Sequence, residues 1–175
     1  MVPPVRFDRD RIRALLELAA DRLDGEWLLI GGAMAAAWFA PARTTEDIDL
    51  VGLAGTADER LALMELAASA GLPIEAVNSA ADFFVRKIPG WRDELVPFVT
   101  GARATIFRPT ATLFLLLKLA RLSTSDLEDC IALIAHGEPI DRAKVEAALR
   151  ALPATEDVAL AERRARLVAA LSAPA

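Results

Sequence analysis

The chain has 175 residues, of which 54% are hydrophobic, enough to bury one sizeable core as a compact body with a small helical appendage. One cysteine and one histidine exclude an internal disulfide and any site built from several imidazoles, a composition that reads as cytoplasmic. A formal net charge of −5 argues against a protein that coats duplex DNA, which needs many Lys and Arg on phosphates, and leaves only a local basic patch, for example around Arg86, Lys87 and Arg92.

The first 25 residues are charged and amphipathic, unlike the basic start and apolar run of a signal peptide. Asp8 is placed to cap a first helix in which Ile12, Leu15, Leu16, Ala19 and Leu23 recur at helical spacing. After the Asp24-Gly25 turn, Trp27-Leu28-Leu29-Ile30 is a short apolar run ending at a glycine pair, which suits a buried strand and a tight turn. Mean hydropathy is positive, at +0.34, yet the longest uncharged stretch, Trp27 to Ala42, holds only 16 residues. It is broken by Gly31, Gly32 and Pro41, too short and too interrupted to span a bilayer. Within it, Ala33 to Phe39 reads as a short helix closed by Pro41.

Asp47-Ile48-Asp49-Leu50-Val51 alternates polar and apolar, so one face of a strand carries both acids while Ile48 and Leu50 enter the core. Ala57 to Ala70 forms a helix with Leu63, Leu66, Ala67 and Ala70 inside and Gly71 as its stop. A short strand follows at Pro73 to Val77, then a helix from Ser79 to Lys87. Leu95 to Val99 and Ala104 to Phe107 read as two strands of a hairpin around Thr100-Gly101. The remainder is helical: one helix opened by Pro109 with an all-apolar Leu113 to Leu117, one with a Ser125/Glu128 capping box ending near Gly137, one capped by Asp141, and a last amphipathic one from Thr155 to Leu171. The expected class is therefore α/β of the α+β kind, with a small mixed sheet and flanking helices over residues 1–108. A helical region over 109–175 is expected to pack on that core.

The chemistry lies in the glycine pair and the acid pair taken together. Acids two apart on a strand project to one side with Cα atoms about 7 Å apart, so Asp47 and Asp49 can converge on two metal ions about 3.5 to 4 Å from each other. Gly31 and Gly32 let backbone come close to a phosphate, and the helix after them presents unpaired N–H groups and a positive dipole end. Each part has a plainer reading: two solvated acids at a strand edge, and a simple tight turn.

Leu29-Ile30-Gly31-Gly32 and, after a gap, Arg43-Thr44-Thr45-Glu46-Asp47-Ile48-Asp49-Leu50 resemble the signature of the nucleotidyltransferase superfamily. Within it the chain is most similar to the AbiEii-type toxin-antitoxin branch, and Lys118, Arg121, Asp126 and Asp129 resemble that branch's later Lys and Arg...Asp-x-x-Asp motifs. The resemblance implies Mg²⁺-dependent transfer of a nucleotidyl group from a nucleoside triphosphate to a tRNA end, another RNA or a protein, with a cognate antitoxin protein as partner. It implies Asp47 and Asp49 as metal ligands, Gly31 and Gly32 as phosphate binders, Arg43, Thr45 and Lys118 as nucleotide contacts, and Asp126 as a residue closing the nucleotide pocket.

Two departures stand out. The gap from Gly32 to Asp47 is 14 residues, longer than is usual in the superfamily. Its third acid, the proton acceptor, has no clear counterpart: Glu75 and Glu94 are the candidates, and Asn78 could mark a position where an acid was lost. A fold that binds nucleotide or a protein partner without turnover is the alternative function. Lys118 could merely snorkel from a buried helix, Asp126 and Glu128 could be first-turn acids favoured by the helix dipole, and Cys130 and His136 read as core and helix-end residues.

Overall fold

The computed structural model describes residues 5–79 and 82–173, and the chain divides into two compact units, Met1–Pro109 and Thr110–Ala175. The first is a five-stranded mixed sheet with its helices, the second is helical, and the expected fold class is borne out. No helix among the described residues is long and apolar enough to cross a membrane.

In the first unit, α1 (Arg9–Arg22) is capped by Asp8, whose carboxylate accepts from the Arg11 N–H. Its apolar face is the expected one, with Ile12, Leu16 and Ala19 fully buried. β1 (Gly25–Ile30) runs from an exposed start into four buried residues, and α2 (Gly31–Trp38) follows without a loop. The glycine pair is thus the first turn of α2, not a turn ahead of it. β2 (Ile48–Gly52) buries Ile48 and Leu50 completely, while Asp47 stands just before the strand. α3 (Glu59–Ser69) starts two residues later than expected, and its Ala70 end is half-buried. It is stopped by Gly71 at φ +65, with the Leu72 N–H returning to the Ala67 carbonyl as in a Schellman ending.

The strand expected over Pro73 to Val77 is mostly a 3-10 turn, Ile74–Ala76, followed by a two-residue β3 (Val77–Asn78). Pro73 supplies no N–H to a ladder, which leaves room for pairing only after it. The helix expected over Ser79 to Lys87 is described only as α4 (Asp82–Arg86), Ala80 and Ala81 lying outside the described residues. A second 3-10 turn, Trp91–Glu94, leads into β4 (Leu95–Thr100), which forms the expected hairpin with β5 (Ala104–Pro109).

The sheet order is β3-β2-β1-β5-β4. β1 is antiparallel to β2 and parallel to β5, and β2 is parallel to β3. α1 packs on α2, β4 and β5, α2 on β1 and β2, and α3 beside β3.

The second unit holds α5 (Ala111–Leu119), α6 (Thr124–His136), α7 (Arg142–Ala151) and α8 (Val158–Ser172). α5 packs on α6 and α7, and α6 on α8. Thr110, not Pro109, opens α5, its hydroxyl accepting from the Leu113 N–H. Leu113, Phe114 and Leu115 are buried, with Leu116 and Leu117 half-buried. The capping box of α6 is Ser123 with Asp126, not Ser125 with Glu128. The side chain at its third position is held from a neighbouring helix as well, and this decides the register. Asp141 and Asp157 cap α7 and α8.

Candidate functional site

Antiparallel register sets Ile30, the last residue of β1, opposite Asp49 of β2. Gly31 follows Ile30, so it arrives beside the Asp49 carboxylate. A Cβ placed on Gly31 would lie 2.7 Å from Asp49 Oδ2, and the residue also needs φ +73. A Cβ on Gly32 would stand 3.2 Å from Arg43 Nη2 and 3.3 Å from Thr45 Oγ1. The Thr45 hydroxyl in turn lies 3.1 Å from both the backbone carbonyl and Oδ1 of Asp47. Gly31, Gly32, Arg43, Thr45, Asp47 and Asp49 therefore surround one point, the start of α2.

Distant parts of the unit hold this arrangement. Thr45 exchanges two backbone hydrogen bonds with the buried Phe7, of 2.8 and 3.1 Å, which pins the segment before the acids to the chain ahead of α1. At the other end of α2, Arg9 donates to the Ala36 and Trp38 carbonyls and Arg13 to that of Ala37. Cations thus satisfy the last carbonyls of α2. Its start has no side-chain cap, so the positive end of the helix is presented beside two carboxylates. Asp47 is exposed and Asp49 half-buried, and both can reach a ligand from solvent.

Mg²⁺ suits such a place. It takes one or two protein carboxylates and fills its octahedron with water and substrate phosphate oxygens. The Asp49 carboxylate oxygen against Gly31 and the Asp47 carboxylate near it are the charged oxygens such an ion would take, and no group of three or more His, Cys, Asp or Glu suited to a metal occurs among the described residues. Gly31→Ala is expected to cost about 1 to 3 kcal/mol in urea denaturation, from the left-handed backbone and the displaced carboxylate together. An unchanged midpoint would show the contact between Gly31 and Asp49 to be slack.

The third acid is a different matter. Register places Asn78 of β3 directly opposite Asp49, and paired residues on neighbouring strands share a face of the sheet. Glu75 is exposed in the 3-10 turn before β3. Glu94 ends the turn before β4, and β4 is separated from β2 by β1 and β5, roughly 14 Å at the usual strand spacing. Asn78 is the neighbour of the acid pair, and the structure does not bring Glu94 to it.

Lys118 and Asp126 meet each other in the second unit. Lys118, nearly buried, places Nζ 2.8 Å from Asp126 Oδ1 and 3.3 Å from Asp129 Oδ2. Arg121 grips Asp126 with two nitrogens, at 2.8 and 3.0 Å, and Ser123 donates to it from both backbone and hydroxyl. Burial alone would raise the Asp126 carboxyl, but the hydrogen bonds from Arg121 and Lys118, the Lys118 charge and Ser123 outweigh it and hold the group far below the ordinary carboxylate range. Burial pushes the Cys130 thiol up to about 12, Lys118 opposing and Asp126 and Asp129 adding to the rise, so this cysteine is a core residue with no thiolate chemistry near neutral pH.

Comparison with known proteins adds no relative: no family model, curated protein or solved structure matches the chain.

Proposed function

We propose that the first unit binds a nucleoside triphosphate with Mg²⁺ at the start of α2 and transfers its nucleotidyl group to an acceptor hydroxyl. The observation that carries this reading is the Asp49 carboxylate seated where a Gly31 side chain would be, against the uncapped end of α2. A triphosphate is drawn to free N–H groups and a helix dipole, and the carboxylate pair at the same spot is where a Mg²⁺ would bind and bridge to the phosphates. Asp47 and Asp49 would hold that Mg²⁺, which supplies charge neutralisation on the phosphates.

In the reaction, the acceptor oxygen forms a bond to the α-phosphorus. The bond from that phosphorus to its bridging oxygen breaks, pyrophosphate leaves, and the hydroxyl proton is lost to solvent or a base. Gly31 and Gly32 admit the phosphates to the backbone, Arg43 and Thr45 line the approach, and Thr45 holds Asp47 in place. Catalysis on this plan is positioning and charge neutralisation. The acceptor class, an RNA such as a tRNA end or a protein, and an antitoxin partner enter the proposal from the sequence resemblance alone.

One observation favours a second reading, nucleotide binding without turnover: the residue opposite Asp49 is an amide, which takes up no proton at neutral pH. Incubation with each α-labelled nucleoside triphosphate, Mg²⁺ and RNA or protein acceptors decides between the two. Transfer of label, lost in Asp47→Ala, is the expected result. Asn78→Asp should raise its rate by about 10² to 10⁴, the range for general-base assistance. Nucleotide binding with no transfer by either the natural chain or Asn78→Asp would leave the binding module.

A further inference from the structure

The end of α2 cannot be closed by the chain that follows it. In an α-helix each carbonyl accepts from the N–H four residues on, and for Ala37 that residue is Pro41, which has no N–H. The Ala40 N–H, which would serve Ala36, bonds instead to the Ala35 carbonyl, as does that of Phe39. The open carbonyls are filled from α1. Arg9 and Arg13 stand four residues apart and so on one face of that helix. Arg9 donates at 3.0 Å to both the Ala36 and the Trp38 carbonyl, and Arg13 at 3.2 Å to that of Ala37. Neither guanidinium has a carboxylate partner among the described residues, and a carbonyl holds such a charge without cancelling it. Ala33 to Ala37 are buried, so what separates these cations from Gly31 is helix rather than water. The helix has eight residues, about 12 Å at 1.5 Å each.

We propose that Arg9 is a positioning residue of the site at the start of α2, acting through the helix to raise its affinity for a triphosphate. The proposal rests on the nucleotide reading given above. Two effects are carried along α2. The negative pole at its last carbonyls is neutralised, so the positive pole at Gly31 stands unopposed. The far end of the helix is also tied to the same segment whose Phe7 pairs with Thr45, so the N–H groups and the acids keep one spacing. Asp47 and Asp49 put two negative charges at one end of α2, and Arg9 and Arg13 put two positive ones at the other. An anion beside the acids gains from that balance. Arg9 is half-buried and holds two carbonyls, whereas Arg13 is exposed and holds one, so water and salt screen Arg9 less.

The test is calorimetric titration of the whole chain with each nucleoside triphosphate and Mg²⁺, at a temperature well below the melting point of every variant. Arg9→Gln is expected to weaken binding about five-fold, the size of a charge at a partly buried helix end, and Arg9→Gln/Arg13→Gln should weaken it further. Arg9→Lys keeps the charge and can reach only one carbonyl. It should melt earlier than the natural chain yet bind within about two-fold of it. Arg22→Gln removes the same charge from the exposed other end of α1 and should bind as the natural chain does. A loss in Arg22→Gln equal to that in Arg9→Gln would reduce the effect to net charge, and a loss in Arg9→Lys as deep as in Arg9→Gln would reduce Arg9 to a cap of α2; either overturns the proposal. Full affinity in Arg9→Gln with binding lost in Asp49→Asn would sink this proposal alone and leave the nucleotide site. No binding by the natural chain would withdraw both.

Discussion

Asp49→Asn is expected to remove Mg²⁺-dependent binding of nucleoside triphosphate, by roughly a hundred-fold or more, since even residues that only support a metal ligand are worth 10- to 100-fold. The substitution keeps the size and shape of the side chain, so an oxygen can still sit beside Gly31, where Asp49 Oδ2 lies 2.7 Å from the would-be Cβ. What it removes is the charge, and a hard dication depends on charged oxygen. Ile48 and Leu50, which carry the core contacts of β2, are untouched, and stability should change by less than about 1 kcal/mol. Asp47→Ala should have an effect of the same kind, and it additionally removes one of the two Asp47 oxygens beside the Thr45 hydroxyl, leaving the backbone carbonyl. Calorimetric titration with each nucleoside triphosphate, with and without Mg²⁺, reads the result. Metal-dependent binding that survives in both variants would place the nucleotide elsewhere, and none in the natural chain would withdraw the site altogether.

The part of this arrangement that shows in the sequence is the part made by neighbours. Ile30-Gly31 closes a strand onto a helix, and Asp47-Ile48-Asp49 alternates at the period of a strand, so each half announces itself over a few residues. The caps at Asp8 and Asp141 are equally local, one side chain reaching three residues along. What brings the halves together is the pairing of β1 with β2 across the 17 residues between Ile30 and Ile48, which no periodicity encodes. The same limit hid the neighbour of Asp49. β3 has two residues, too few for an alternation to register, and its parallel pairing with β2 is non-local, so Glu94 and Asn78 could not be ranked before the sheet order was known. Ser125 and Glu128 fit the capping-box pattern in the sequence, yet the structure uses Ser123 and Asp126. The choice fell to Asp126 because Lys118 and Arg121 hold its carboxylate from the other side, a tertiary preference absent from any four-residue pattern.

That same carboxylate carries the largest expected effect on stability. Asp126→Ala should destabilise the chain by about 3 to 5 kcal/mol, because it breaks a buried ion pair from one side and leaves the Lys118 ammonium with Asp129 as its remaining carboxylate. About 1 kcal/mol of the loss belongs to the capping box of α6. Replacing Lys118, Asp126 and Asp129 together by Met and Leu should recover most of the deficit, since well-packed apolar residues commonly match a buried charge network. The pH dependence follows from the depressed carboxyl. Its folded value lies below its unfolded one, near 4, so the unfolded chain binds the extra proton as pH falls. The stabilisation is complete above the unfolded value and is lost as the pH falls through the folded value. Urea denaturation at pH 7 and at pH 3.5 should show a smaller acid loss in Asp126→Asn than in the natural chain. A cost under about 1 kcal/mol for Asp126→Ala would mean that the ion cluster does not hold α5 to α6. If Lys118→Met also lost triphosphate binding at unchanged stability, the ammonium would belong to a ligand instead.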